Sequence, residues 1–311
     1  MTMAVLAGAS GGGNLFASTS YVGNGSTQSI VTGQNLASGA LTWIRKLNGI
    51  QQRGVLVTDT VRGSNKIFAI NGNDAEVTTS NGITAFNSNG VSIGNEIYVS
   101  ESAANYAIFS WLKQAGYMDI VTYTGNSINR AISHNLGVAP SLMLFRNRSD
   151  ISKGIAYHSA LGATKFLSLN LTTAQTTDAQ QFQNTAPTSS VFSLGTSGDV
   201  NANTNNYVAW LFAEKVGSSK FNSYTGNSAT NAITGLGFRP KAVLIKNTTN
   251  SASWTFIFTS TLGTYIFEPN TSSFASIATG TATLDSNGFT LLSNSLQTNN
   301  SGDTYIYAAW G

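Results

Sequence analysis

The sequence predicts an all-β protein built as three tandem β-sandwich modules, jelly-roll-like and of about 100 residues each. Three observations predict it: a composition that disfavours helices, a set of markers repeated three times, and short apolar runs separated by turn dipeptides. The chain has 311 residues, of which only 9% are charged, with Lys+Arg 16 against Asp+Glu 13, while 41% are hydrophobic. Asn, Ser, Thr and Gly therefore supply the polar surface. Their short side chains compete for backbone hydrogen bonds, which favours turns and caps over helix interiors.

Composition also sets limits on function. The aromatic content and low charge exclude a disordered chain. Cys is 0, which removes disulfides and thiolate metal sites. A net charge of +3, spread along the chain, predicts no nucleic-acid surface. No apolar stretch reaches the ~20 residues of a membrane-spanning helix, so no membrane insertion is expected. The start, Met1 to Gly13, lacks basic residues before its short apolar run and so does not read as a secretory signal. Residues 1–20, with Gly11, Gly12 and Gly13, read as an N-terminal docking arm.

The repeat is carried by collinear markers about 100 residues apart, a period that matches a small domain rather than a solenoid unit. Tyr21-Val22-Gly23-Asn24 returns as Tyr123-Thr124-Gly125-Asn126 and as Tyr224-Thr225-Gly226-Asn227. Trp111, Trp210 and Trp310 each close a strand of aromatic and small residues. Ile44-Arg45, Phe145-Arg146 and Ile245-Lys246 keep the same period, as do the segments ending in Gly63, Gly162 and Gly263 and those around Val91, Phe192 and Phe289. Tyr21, Tyr123, Tyr224, Trp111, Trp210 and Trp310 thus define the repeat and are expected in cores or interfaces. The modules are placed at 21–116, 117–219 and 220–311.

Within each module the elements read as strands. Ala40 to Arg45, Ser141 to Arg146 and Lys241 to Lys246 are short apolar runs bounded by Gly, Asn or Pro, the pattern of buried strands. Asn71-Gly72, Asn89-Gly90, Ser197-Gly198 and Asn287-Gly288 mark tight turns. Thr172 to Gln183 lacks apolar alternation and is the expected helical turn. The arrangement of the modules, as a string or around a pseudo-threefold axis, stays open at this level.

Module 2 reads Ile132-Ser-His134-Asn-Leu-Gly137-Val-Ala-Pro140, then Tyr157-His158-Ser-Ala-Leu-Gly162, then Gly195-Thr-Ser-Gly198-Asp199, and closes on Tyr207-Val-Ala-Trp210. This resembles a module of tail-fibre and other virion proteins of tailed bacteriophages, especially those from aquatic environments. The resemblance is close over residues 123–215, thinner in module 3, where Gly235 to Pro240 keeps the turn, and weak in module 1. It implies a β-rich structural protein of the virion, in the tail rather than the head, that aids host attachment and forms a homotrimer with other virion subunits as partners. It implies no catalytic residue and no cofactor. A capsid decoration or neck protein and a carbohydrate-binding protein are the alternative readings.

Candidate chemistry is sparse. His134 and His158, the only histidines, have no helical i, i+4 spacing, and a structural role is expected in place of a metal site. Asp59, Asp150, Asp199, Glu214, Glu268, Asp285 and Asp303 form no pair repeated in the modules, so a glycosidase such as a capsule depolymerase is not expected. No nucleophile elbow, phosphate loop or dinucleotide fingerprint stands in the context it needs. Arg45, Arg146 and Lys246 recur at strand ends, as exposed polar termini or as repeated glycan or partner contacts. Tyr157 and Trp254 are further candidates for stacking on a sugar ring or a host receptor, with core packing as the competing reading for Trp254.

Overall fold

The computed structural model describes residues 14–50, 54–273 and 275–311. The fold is all-β, with antiparallel sheets in β-sandwich modules. Module 1 contains β1 (Phe16–Val22), β2 (Gln28–Val31), β3 (Ala40–Lys46), β4 (Leu56–Asp59), β5 (Gly63–Ala69), β6 (Val77–Thr78), β7 (Ile83–Asn87), β8 (Gly90–Ile93) and β9 (Asn105–Leu112). Its large sheet has the order β1-β9-β3-β4-β5-β6, and its small sheet the order β2-β8-β7. The large-sheet order returns in modules 2 and 3, where Leu142–Asn147 and Ala242–Asn247 take the place of β3, and Asn206–Phe212 and Thr304–Trp310 that of β9.

The central strands are buried on both faces, which explains their unbroken apolar runs. Along β3 and β9, Ile44, Tyr106 and Ile108 pack towards the small sheet of their own module. Leu41, Trp43, Ala107, Phe109 and Trp111, the alternate residues, enter a different cluster that also holds Leu144, Trp210 and Phe212 of module 2 and Leu244, Phe256 and Trp310 of module 3. Each module thus has its own sandwich core, and the three large sheets share a fourth. The modules pack around a pseudo-threefold axis.

Residues on that axis correct the repeat register. Trp111 pairs with Leu41, Trp310 with Ala242, and Phe212 with Leu142, at equivalent places in β3 and its counterparts. Phe212, not Trp210, is therefore the module 2 counterpart of Trp111 and Trp310. Trp210 pairs with Leu144 and sits at the position of Phe109 and Ala308. A shift of two residues keeps a side chain on the same strand face, so Trp210 is still buried on the axial side. Trp111, Phe212 and Trp310 meet at centroid distances of 5.3, 5.6 and 6.0 Å.

The Tyr-x-Gly-Asn motif has a local cause. Tyr21, Tyr123 and Tyr224 stack on Tyr106, Tyr207 and Tyr305 across the strand pair, at 5.0, 5.2 and 5.1 Å. Their hydroxyls donate to the carbonyls of Val99, Val200 and Thr298. The glycine passes against another backbone: a Cβ on Gly125 would stand 2.1 Å from the Ala202 carbonyl oxygen, and one on Gly226 2.2 Å from that of Asn300. Asn126 and Asn227 then accept from the amides of Ile128 and Ala229, closing the turn.

Two boundaries differ from expectation. Phe16 to Ser20, placed in a docking arm, belong to β1, where Phe16 is buried against Trp111. The aromatic side chain is worth more in the axial core than in solvent. Gly11, Gly12 and Gly13 lie outside the described residues. In the segment Thr172 to Gln183, the helix is one turn, Ala179–Phe182, capped by Asp178; it stands where modules 1 and 3 place a third small-sheet strand.

Candidate functional site

The recurring basic residues are buried and join the modules into a ring. Arg146 of module 2 donates to the carbonyls of Gly72 (2.6 Å) and Asp74 (2.9 Å) in module 1. Lys246 of module 3 donates to the Thr172 carbonyl of module 2 (3.0 Å) and to the carbonyls of Ala252 and Asn247 in its own module. Arg45 of module 1 donates to the carbonyls of Thr271 (3.2 Å) and Ser273 in module 3. The order 2 to 1, 3 to 2 and 1 to 3 is closed. Burial pushes both Arg45 and Arg146 down to about 10 and Lys246 down to about 8.

This placement corrects the reading of the five candidate contacts. Arg45, Arg146, Lys246, Tyr157 and Trp254 are all buried, so none offers a surface to a glycan or to another subunit. Arg45, Arg146, Lys246 and Tyr157 lie on large sheets whose two faces are both covered, and Trp254 directly precedes the large-sheet strand Thr255–Ser260. Tyr157 packs on Phe182 inside module 2, and the Trp254 indole donates to the Ser168 carbonyl across the module 2–3 boundary (2.9 Å).

Other groups complete the seams. Trp210 donates to Asp59 (2.9 Å), which also pairs with Arg62. Arg62 and Arg148 both meet Glu76, so four charges and an indole tie module 2 to module 1. His158 donates from Nε2 to the Tyr307 carbonyl (3.1 Å) and accepts the Ala160 amide at Nδ1. Burial pushes its imidazole down to about 4. The module 3 equivalent of His158 is Phe258, since Leu142 pairs with His158 and Ala242 with Phe258. His134 bonds to the Thr188 carbonyl and accepts the Leu136 amide. Among the described residues no group of three or more His, Asp or Glu side chains is placed to hold a metal ion.

Sequence reasoning missed Asn201 and Asn299. Each is buried, accepts the amide of the motif asparagine (3.0 Å) and donates to backbone carbonyls. Only their period, close to that of the motif, could have signalled them.

The seams also border two open clefts, each with a cavity volume of about 330 Å³. One lies in module 1 against Phe68, Asp74, Glu96 and Tyr98. The other lies in module 3 against Phe267, Ser273, Ser295 and Gln297. The Arg146 guanidinium stands 4.9 Å from the Phe68 ring, and that of Arg45 4.9 Å from the Phe267 ring. The arginines that close the ring thus hold the floor and the loop of each cleft.

A family model described as a domain of unknown function (DUF7483) matches residues 11–311. None of the curated proteins compared with the chain matches it.

Proposed function

The chain belongs to the DUF7483 family, whose description assigns no activity, and we propose that it is a non-enzymatic structural component of a bacteriophage virion: a tail fibre, spike or tail accessory subunit that aids host attachment. The observation that carries this reading is the closed ring of three modules on a shared aromatic core. Fibres and spikes are organised on threefold axes, and a closed cyclic arrangement is what such an axis accepts. The resemblance of residues 123–215 to virion modules supports the same reading, as does a surface wetted by amides and hydroxyls with few charges.

The ring changes the expected stoichiometry. The resemblance to fibre modules implies a homotrimer. Here one chain already supplies three equivalent modules, so a threefold partner needs a single copy. Light scattering is then expected to give the mass of one chain, 32.6 kDa. The experiment that tests the function is the location of the protein in purified virions by mass spectrometry and immunogold labelling. Label at the tail supports the proposal. Label on the head shifts it to a capsid decoration or neck role, and absence from virions overturns it.

A further inference from the structure

We infer that the clefts of modules 1 and 3 are two copies of one binding site, and that their ligand is a neutral saccharide. The inference does not rest on the virion reading, since it comes from the linings alone.

The two clefts share most of their lining positions. Val57 pairs with Phe68 as Phe256 pairs with Phe267, and Ile67 pairs with Val77 as Ile266 pairs with Ser276. In that register Asp74 corresponds to Ser273, Glu96 to Ser295 and Tyr98 to Gln297, and all six line the clefts. The match is a property of the fold, because it holds where the side chains differ.

Module 2 shows the same place closed. The counterpart of the half-buried Ile67 and Ile266 is Phe166, which is buried. The helix Ala179–Phe182 brings Phe182 into that core, against Phe145 and Tyr157. The floor residue is Leu167, where modules 1 and 3 have phenylalanine, and the residue that reaches in from the next module is Lys246, where they receive an arginine. Phenylalanine floor, arginine brace and open cleft thus occur together in modules 1 and 3. In module 2 leucine, lysine and a filled interior occur together.

The linings favour a sugar. Each cleft has an apolar wall, half-buried Ile67 or Ile266, with the edge of the buried Phe68 or Phe267 beneath it, suited to the C–H face of a pyranose ring. The linings also hold groups that exchange hydrogen bonds with hydroxyls: Glu96, Tyr98 and Thr78 in module 1, and Ser295 and Gln297 in module 3. Among the described residues lining either cleft there is no lysine or arginine, while Asp74, Glu96 and Glu268 are acidic. A sulfated, phosphorylated or uronic sugar would meet like charge there. The volume suits a small ligand.

The test is a panel of immobilised neutral, amino and acidic glycans, followed by calorimetric titration of the full chain with the best neutral binder. Saturable binding at two sites per chain is expected. Val77→Trp and Ser276→Trp, at matched exposed edge positions, should each remove one site, and the double variant both. Thr176→Trp, the matched position in module 2, should leave two sites. Gln297→Ala, which leaves the strand edge intact, should weaken the module 3 site about tenfold. Absence of neutral-glycan binding overturns the inference. Binding that survives the double variant, loss on Thr176→Trp, or preference for acidic glycans overturns it as well. Each result is independent of where the protein sits in a virion.

Discussion

Trp111 and Trp310 meet edge to face, with ring centroids 5.3 Å apart and planes at 74°, although one closes the first module and the other the third. Phe212 completes the cluster on the axis. The contact is what makes three sandwiches one body. It leaves the indole N–H of both tryptophans, buried in the apolar core, without a hydrogen-bond partner.

That arrangement separates two substitutions. Trp111→Ala opens a large cavity on the axis and is expected to cost about 3–5 kcal/mol. Trp111→Phe adopts the solution module 2 already uses and removes an unsatisfied donor, which offsets part of the lost area; less than about 1.5 kcal/mol is expected. Chemical denaturation of both variants checks the difference. A phenylalanine variant as unstable as the alanine one would contradict the axial packing described.

The ring contacts predict a graded series at Arg146. Arg146→Ala leaves the carbonyls of Gly72 and Asp74 without their charged donor and is expected to cost about 2–4 kcal/mol. Arg146→Lys should restore part of it, since Lys246 fills the equivalent role with a single amine. Urea midpoints measure both. Equal effects would mean that the guanidinium fork is not used.

His158 gives the module 2–3 seam an acid limit. Its folded pKa, about 4, lies below the ordinary value of 6.5 because the ring is buried. Between those values the unfolded chain binds more protons, so stability is full above pH 6.5 and falls as pH drops towards 4. The loss is on the order of 3 kcal/mol. A second proton would sit on Nδ1, which now accepts the Ala160 amide. Melting temperature against pH should show this slope in the native chain and a shallower one in His158→Gln.

Lys246 acts in an alkaline window with the same sign. Its folded pKa of about 8 lies below 10.5 because of burial, so the Lys246 contribution to stability should rise as pH increases from 8 to 10.5. Lys246→Met should flatten that rise, measured by denaturation in alkaline buffers.

The shared core predicts that the modules do not stand alone. A fragment of residues 117–219 would expose Ile120, Leu144, Val208, Trp210 and Phe212 on one sheet face, an apolar surface beyond what isolated domains carry. It is expected to aggregate or lack dispersed amide resonances in NMR spectra. A folded, monomeric fragment would overturn the one-body reading.

Much of this was legible from residues alone. Strand runs such as Ala40 to Arg45 announced buried strands, and the Tyr-x-Gly-Asn motif marked the threefold repeat. Periodicity failed at Trp210, because a strand returns to the same face every two residues and residue type alone could not choose between Trp210 and Phe212. It also misjudged Arg45, Arg146 and Lys246. Their spacing showed that they recur, but charge suggested solvent, and nothing local says that another module covers them. The clefts left no local signal either, since their lining residues come from distant segments and are individually ordinary.

The sequence by itself determined that this protein is all-β and threefold repeated, because both properties are written in local composition and in a fixed period. Only the tertiary structure decided that the repeats close into a ring, and that one matched position is an open cleft in two modules and filled in the third. Those outcomes depend on which faces meet, and apolar surface is non-directional: it demands a partner without specifying which.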